Sequence, residues 1–169
     1  DKWFMKFLQT EYGRRIAVSQ SDGNGPGIVF LGGFMSDMIG TKSLNLAAWC
    51  EEQKRPFLSF DYSGHGASSG SFTDGCIGDW AEDAKSAIAD LTEGPQILVG
   101  SSMGGWIALL MAQRIPERIA GLVTIAAAPD FTEDGFWKNF NEETRKHLVD
   151  EGVVNVPSDY GDPYLVELI

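Results

Sequence analysis

Cysteine and histidine are both scarce in this chain. Cys50 and Cys76 are the only thiols, and His65 and His147 the only imidazoles, among 169 residues. Two cysteines build no disulfide framework and suit a reducing compartment, so a cytoplasmic protein is expected. No metal centre is expected. Basic residues are few as well: 13 Lys and Arg stand against 24 Asp and Glu, a formal charge of -11. A surface of that sign lacks the basic patches that nucleic acid or an anionic membrane needs, and excludes both as partners. Nor does any apolar run approach the ~18–20 residues of a membrane span. No signal peptide is visible from Asp1 onward, and repeats and low-complexity segments are absent.

What is present suffices for one domain with a real core, since 43% of the residues are hydrophobic. Trp3 to Gln9 and Arg14 to Ser19 read as two strands joined at Glu11-Tyr12-Gly13, an antiparallel hairpin. Gly27 to Gly32 is a short continuous apolar run, which suits a strand buried on both faces of a parallel sheet. The pattern predicts a helix over Lys42 to Gln53, with Leu44, Ala47, Ala48 and Cys50 inward, and then a strand over Pro56 to Tyr62. Ile77, Trp80, Ala81, Ala84, Ala87, Ile88 and Leu91 carry the spacing of one buried helical face. Strand Gln96 to Gly100, helix Gly104 to Arg114 and strand Gly121 to Ala128 follow. Strands alternating with helices imply a mostly parallel sheet with helices on both faces, an α/β fold.

After Pro129 the composition changes. Residues 1–129 read as the sheet domain and 130–169 as a separate segment. Phe131, Phe136, Trp137, Phe140, His147 and Leu148 lie in a charged, aromatic-rich stretch of helical character. It fits a cap over the sheet's carboxyl edge, and equally a surface helix. Val153 to Ile169, with Pro157, Gly161 and Pro163, reads as irregular.

Chemistry concentrates at Val99-Gly100-Ser101-Ser102-Met103-Gly104-Gly105-Trp106. An apolar strand stops at Gly-x-Ser-x-Gly and a helix starts at once, the form of a nucleophile elbow centred on Ser102. Such a turn forces its serine into a sparsely populated backbone region, and Gly100 and Gly104 relieve the resulting collisions. The helix that follows points its positive end at the site. Gly32-Gly33-Phe34-Met35-Ser36-Asp37 leaves a neighbouring strand at the same edge of the sheet. An oxyanion formed at Ser102 needs two preorganised donors, for which the backbone N–H groups of Phe34 and Met103 are the candidates. Met35 and Trp106 are candidate substrate contacts, although residues of this kind also build cores.

Serine needs a base, and the base an orienting acid. His65, in Asp61-Tyr62-Ser63-Gly64-His65-Gly66, lies beyond a strand end and is read as tying its loop by hydrogen bonds. His147 falls in the presumed cap helix. Neither follows the order serine, acid, histidine expected of this architecture. Asp130, just past a strand end, reads as a helix cap.

Phe30 to Met38, Phe60 to Gly70, Val99 to Trp106 and Ile125 to Thr132 together resemble the α/β-hydrolase superfamily. Within it they are similar to the bacterial relatives of the mitochondrial palmitoyl-protein thioesterase and acyl-glucuronide esterase. The resemblance implies a serine hydrolase that cleaves small-molecule carboxylic esters or acyl thioesters without a cofactor. It implies Ser102 as nucleophile, Phe34 and Met103 as oxyanion amides and a structural His65. Members of that superfamily continue past the cap into two strand-and-helix units that carry the triad acid and histidine. Nothing here matches those units, so the chain is expected to be a fragment. The strand Gly121 to Ala128 would leave the sheet with an open edge, to be covered by a further segment or by self-association. A catalytically silent module that binds a ligand or partner is the alternative reading.

Overall fold

Ile28-Val29-Phe30-Leu31 has no polar side chain to turn toward water, and all four are buried in the middle of a sheet. The computed structural model describes residues 5–157 and the backbone of 164–167, so Trp3 lies outside the described residues. Around strand β3 (Ile28–Leu31) stand β1 (Lys6–Gln9), β2 (Arg15–Ser21), β4 (Phe57–Phe60), β5 (Gln96–Ser101) and β6 (Ile119–Ile125), in the spatial order β1-β2-β4-β3-β5-β6. The β1–β2 hairpin joins antiparallel to β4, whereas β4, β3, β5 and β6 run parallel. Gly13, at φ 78°, takes the left-handed position of the hairpin turn, and Thr10 N–H donates to Arg14 O at 2.9 Å.

Alternation along the strands sorts their side chains to two faces. Val29, Leu31, Leu58 and Leu98 pack toward helices α2 (Ile77–Leu91) and α3 (Met103–Arg114), with Trp80, Ala84, Ile88, Ile107 and Met111. Ile28, Phe30, Phe57 and Val99 pack toward α1 (Thr41–Glu52) through Ala47 and Cys50. Helices therefore cover both faces, as the alternating pattern implies. Because β4, β3, β5 and β6 are parallel, the loops that follow β3, β4 and β5 all gather at one edge.

Several local expectations are corrected. On α1 the buried residues are Ser43, Ala47 and Cys50, while Leu44 and Ala48 face solvent. The apolar spacing misled there because this helix buries small residues against the sheet. The stretch after Pro129 is not one helix: a π-helical turn (Thr132–Phe136) and a short 3-10 turn (Trp137–Asn139) precede α4 (Glu142–Glu151). Asp130 holds the first turn with its carbonyl, which accepts from Glu133 N and Asp134 N at 3.0 and 2.8 Å, and not with a carboxylate cap. Asn141 caps α4 instead, its side chain accepting from Thr144 N at 2.8 Å. Beyond Gly152 the chain forms an antiparallel pair, β7 (Val153–Val156) and β8 (Tyr164–Glu167), where irregular structure was expected.

Candidate active site

One residue separates β5 from α3. Ser102 holds φ 56° and ψ -118°, a conformation outside the regions that L-residues favour and costing roughly 1–3 kcal/mol. Surrounding contacts fix it there. Its N–H donates to Ile125 O at 3.0 Å, and its carbonyl accepts from Gly105 N at 2.9 Å and Ala128 N at 3.1 Å. The glycines permit the close approach: a Cβ on Gly100 would lie 2.3 Å from Gly104 O, and one on Gly104 would lie 2.0 Å from Leu31 O. Met103, fully buried, is the first residue of α3. Its amide belongs to the first helical turn, whose N–H groups have no acceptor within the helix. No acidic residue occupies that turn to offset its positive end.

The loop after β3 comes up beside this serine. A Cβ on Gly33 would stand 3.5 Å from Ser102 Cβ and 3.6 Å from Ser101 O. The loop turns tightly, with Ser36 N donating to Gly33 O at 3.2 Å and Met35 in the left-handed region at φ 58°. A non-glycine residue at such a φ needs external support. The segment after β4 supplies it at three points. Tyr62 Oη donates to Gly32 O at 3.0 Å, Met35 N donates to His65 Nε2 at 3.2 Å, and Met38 N donates to Asp61 Oδ1 at 2.7 Å. Asp61 Oδ2 also accepts from Ala67 N at 2.9 Å.

His65 is buried, with both ring nitrogens engaged. Nδ1 faces the Ser63 carbonyl at 3.0 Å, which can only accept, while Nε2 faces an amide N–H, which can only donate. The neighbours therefore dictate the neutral tautomer with the proton on Nδ1. Burial holds its pKa below the ordinary histidine value, outweighing the Ser63 hydrogen bond and the nearby Asp61. Burial pushes the Asp61 carboxyl above its usual range in spite of the two amides that favour its charged form. His147 stands exposed on α4, and Asp130 is exposed at φ 54°. Among the described residues, no hydrogen bond joins Ser102 Oγ to a histidine, nor do three or more His, Cys, Asp and Glu side chains group as metal ligands.

An aromatic cluster roofs the loop. Phe34 meets Phe72 at 4.9 Å, Phe131 at 5.3 Å, Phe136 at 5.9 Å and Trp80 at 6.2 Å between ring centroids. Trp106, on the first turn of α3, meets the same Phe131 edge-on at 5.8 Å. The structure thus brings Ser102, Gly33, Phe34, Met103 and Trp106 to one place, while the Met35 side chain is 51% exposed at its margin. Sequence reasoning missed Tyr62 and Asp61 as supports of the loop. A buried-strand run ending in Asp-Tyr at the same sheet edge was the available signal.

Comparison with known proteins gives the family. The alpha/beta hydrolase fold family matches residues 28–161. The mitochondrial palmitoyl-protein thioesterase of Bos taurus is 38% identical over 164 residues, covering 95% of this chain and 52% of the relative. The pimeloyl-[acyl-carrier protein] methyl ester esterase of Nitrosomonas europaea is 29% identical over 146 residues, covering 83% and 52%. A crystal structure of a protein from Agrobacterium vitis S4 superimposes with a TM-score of 0.90 at 34% identity, covering 97% of this chain and 68% of that one. The chain spans about half the length of the curated relatives it matches. One expectation is overturned: the thioesterase relatives are mitochondrial, which points away from the cytoplasm. Unpaired cysteines speak only for a reducing surrounding and do not single out one compartment.

Proposed function

Since the chain belongs to the alpha/beta hydrolase fold family, we propose that it carries the nucleophile and oxyanion side of a serine hydrolase acting on carboxylic esters or thioesters. The observation that carries this reading is the strained Ser102 between β5 and α3, with the Gly33 turn against its Cβ. The esterase and thioesterase relatives support the choice of bond.

In the proposed reaction Ser102 Oγ bonds to the carbonyl carbon and gives its proton to a base. The carbonyl π pair moves to oxygen, where the amides of Phe34 and Met103 stabilise the charge. The pair returns as the alcohol or thiol leaves with the proton, and water repeats the sequence to free the acid. A missing oxyanion donor costs about 10²–10³ in rate in this chemistry, so the placement of the Phe34 amide matters. Met35 and Trp106 are proposed to flank the acyl group, under a cap formed by the segment from Asp130. The base is proposed to lie outside the described residues, because His65 has both nitrogens committed and His147 is exposed on α4.

That last observation favours a second reading, a silent module that binds without turnover. A fluorophosphonate probe separates the two. Labelling of the full-length protein that disappears in Ser102→Ala supports the hydrolase; labelling that is absent, or unchanged by the substitution, removes it.

A further inference from the structure

The hydrogen bonds that support the oxyanion-side loop continue past His65. We propose that Asp83, held by Arg14, is a positioning residue for this loop, acting on it through Ser63 and His65. The inference rests on the reading of the Phe34 amide as an oxyanion donor.

Asp83 lies on the buried face of α2, wholly removed from solvent between the turns that carry Trp80 and Ala87. A buried carboxylate persists only where it is paired and hydrogen-bonded. Here Oδ1 accepts from Arg14 Nε at 2.7 Å and Oδ2 accepts from Ser63 N at 2.8 Å. Arg14, at the end of the hairpin turn, also donates through Nη2 to Glu82 Oε2 at 2.8 Å and to Asp79 O at 3.4 Å, so its guanidinium is fixed against α2. Ser63 is held from its other side as well. Its carbonyl accepts from Trp80 Nε1 and from His65 Nδ1, each at 3.0 Å.

These contacts have one consistent polarity. Arg14 fixes Asp83, Asp83 fixes the Ser63 N–H, and the Ser63 carbonyl accepts from the one N–H of the neutral imidazole. That leaves the Nε2 lone pair for Met35 N, which holds the Phe34–Met35 peptide in its left-handed turn beside Ser102. Ser63 is the joint: if it shifts, the imidazole shifts with it, and the peptide next to the Phe34 amide loses its acceptor. A merely structural tie between hairpin and helix would need the Arg14–Asp83 pair but not the second carboxylate oxygen on Ser63.

The test measures steady-state hydrolysis of a short p-nitrophenyl ester by the full-length protein and its variants. Asp83→Asn keeps the shape but must point its NH₂ at one of two donors. It is expected to lower kcat by about tenfold to a hundredfold with KM within about twofold, the signature of a displaced transition-state donor. His65→Asn retains a donor for Ser63, but its amide oxygen stops short of the Nε2 position that Met35 N bonds, and it should show the same split; the longer His65→Gln, whose amide oxygen reaches that position, should recover most of it. The double variant of Asp83→Asn with His65→Asn should be no slower than His65→Asn alone, because both act on one contact. Arg14→Lys, which keeps a cation for the buried Asp83 but loses the planar fork, provides the same cycle with a milder loss should Asp83→Asn not fold. Unchanged kcat in Asp83→Asn and Arg14→Lys, or losses that multiply in the double variants, would overturn the proposal while Ser102-dependent probe labelling leaves the hydrolase reading standing. Labelling indifferent to Ser102→Ala would remove both.

Discussion

A methyl group on Gly104 would sit 2.0 Å from the carbonyl oxygen of Leu31 and 2.5 Å from its carbon, backbone atoms of the central strand that have nowhere to move. Gly104→Ala is therefore expected to destabilise the fold by about 3 kcal/mol or more, the upper end of overpacking costs. In a chain of this size that lowers Tm by roughly 10 °C, measurable by circular dichroism. Gly33 presents the opposite case. Its added Cβ would meet Ser36 Oγ at 3.4 Å, Ser102 Cβ at 3.5 Å and Ser101 O at 3.6 Å, all ordinary contacts. Gly33→Ala should fold with stability within about 1 kcal/mol of the parent, yet slow probe labelling, since the methyl crowds the nucleophile. Equal labelling rates with equal Tm would show that the loop does not shape the site. Both glycines were visible in the sequence, Gly104 through the serine pentapeptide and Gly33 through its place after a strand. Their difference was not, because it depends on which backbone lies opposite, and no local pattern records that.

Among the elements, the buried face of α2 was legible and that of α1 only in part. Trp80, Ala81, Ala84, Ala87 and Ile88 are large or numerous enough to mark the buried stripe of α2. On α1 the pattern found Ala47 and Cys50 but turned Leu44 and Ala48 inward and missed Ser43, whose hydroxyl hides it from a hydrophobic pattern. Even on α2 the sequence hid Asp83, a charge on the apolar face whose partners Arg14 and Ser63 lie 69 and 20 residues away. The segment Asp61 to His65 owes its order to similar distant contacts, and it gives the fold a pH dependence. Burial lowers the pKa of His65 in the folded chain, so the unfolded chain takes up a proton first as pH falls. Above about pH 6.5, the unperturbed value, neither state is protonated there and His65 makes no pH-dependent contribution. From about 6.5 downward stability should decline until the folded pKa is reached. Asp61, with its pKa raised in the fold, works in the opposite sense at lower pH: its contribution is present below the unfolded carboxylate value and is lost as pH rises through the folded one. Chemical denaturation between pH 7.5 and 5.5 tests the histidine: the slope should appear in the parent chain and flatten in His65→Gln, and an equal slope in both would assign it elsewhere.

At the scale of the whole molecule, the sheet is lopsided. Its β1 edge carries the hairpin and a cation over a ring, with the Arg15 guanidinium 3.4 Å above Phe7. Its β6 edge is apolar on both faces, since neighbours Leu122 and Val123 point opposite ways and are 37% and 49% exposed, with Ile125 at 38%. Exposed apolar edges of this kind pair with other chains unless something covers them. A net charge of -11 opposes such pairing between copies, but surface repulsion is screened beyond a Debye length of about 10 Å at 0.1 M salt, whereas apolar burial is not. We therefore expect the 169-residue chain on its own to self-associate through β6, increasingly with concentration and with salt. Val123→Lys, at a half-exposed position where the fold tolerates a charge, should return it to monomer with Tm nearly unchanged. Sedimentation of both forms at 0.05 and 0.5 M salt decides the matter: a parent chain that stays monomeric throughout, or association that Val123→Lys leaves intact, would mean that β6 is not an association surface.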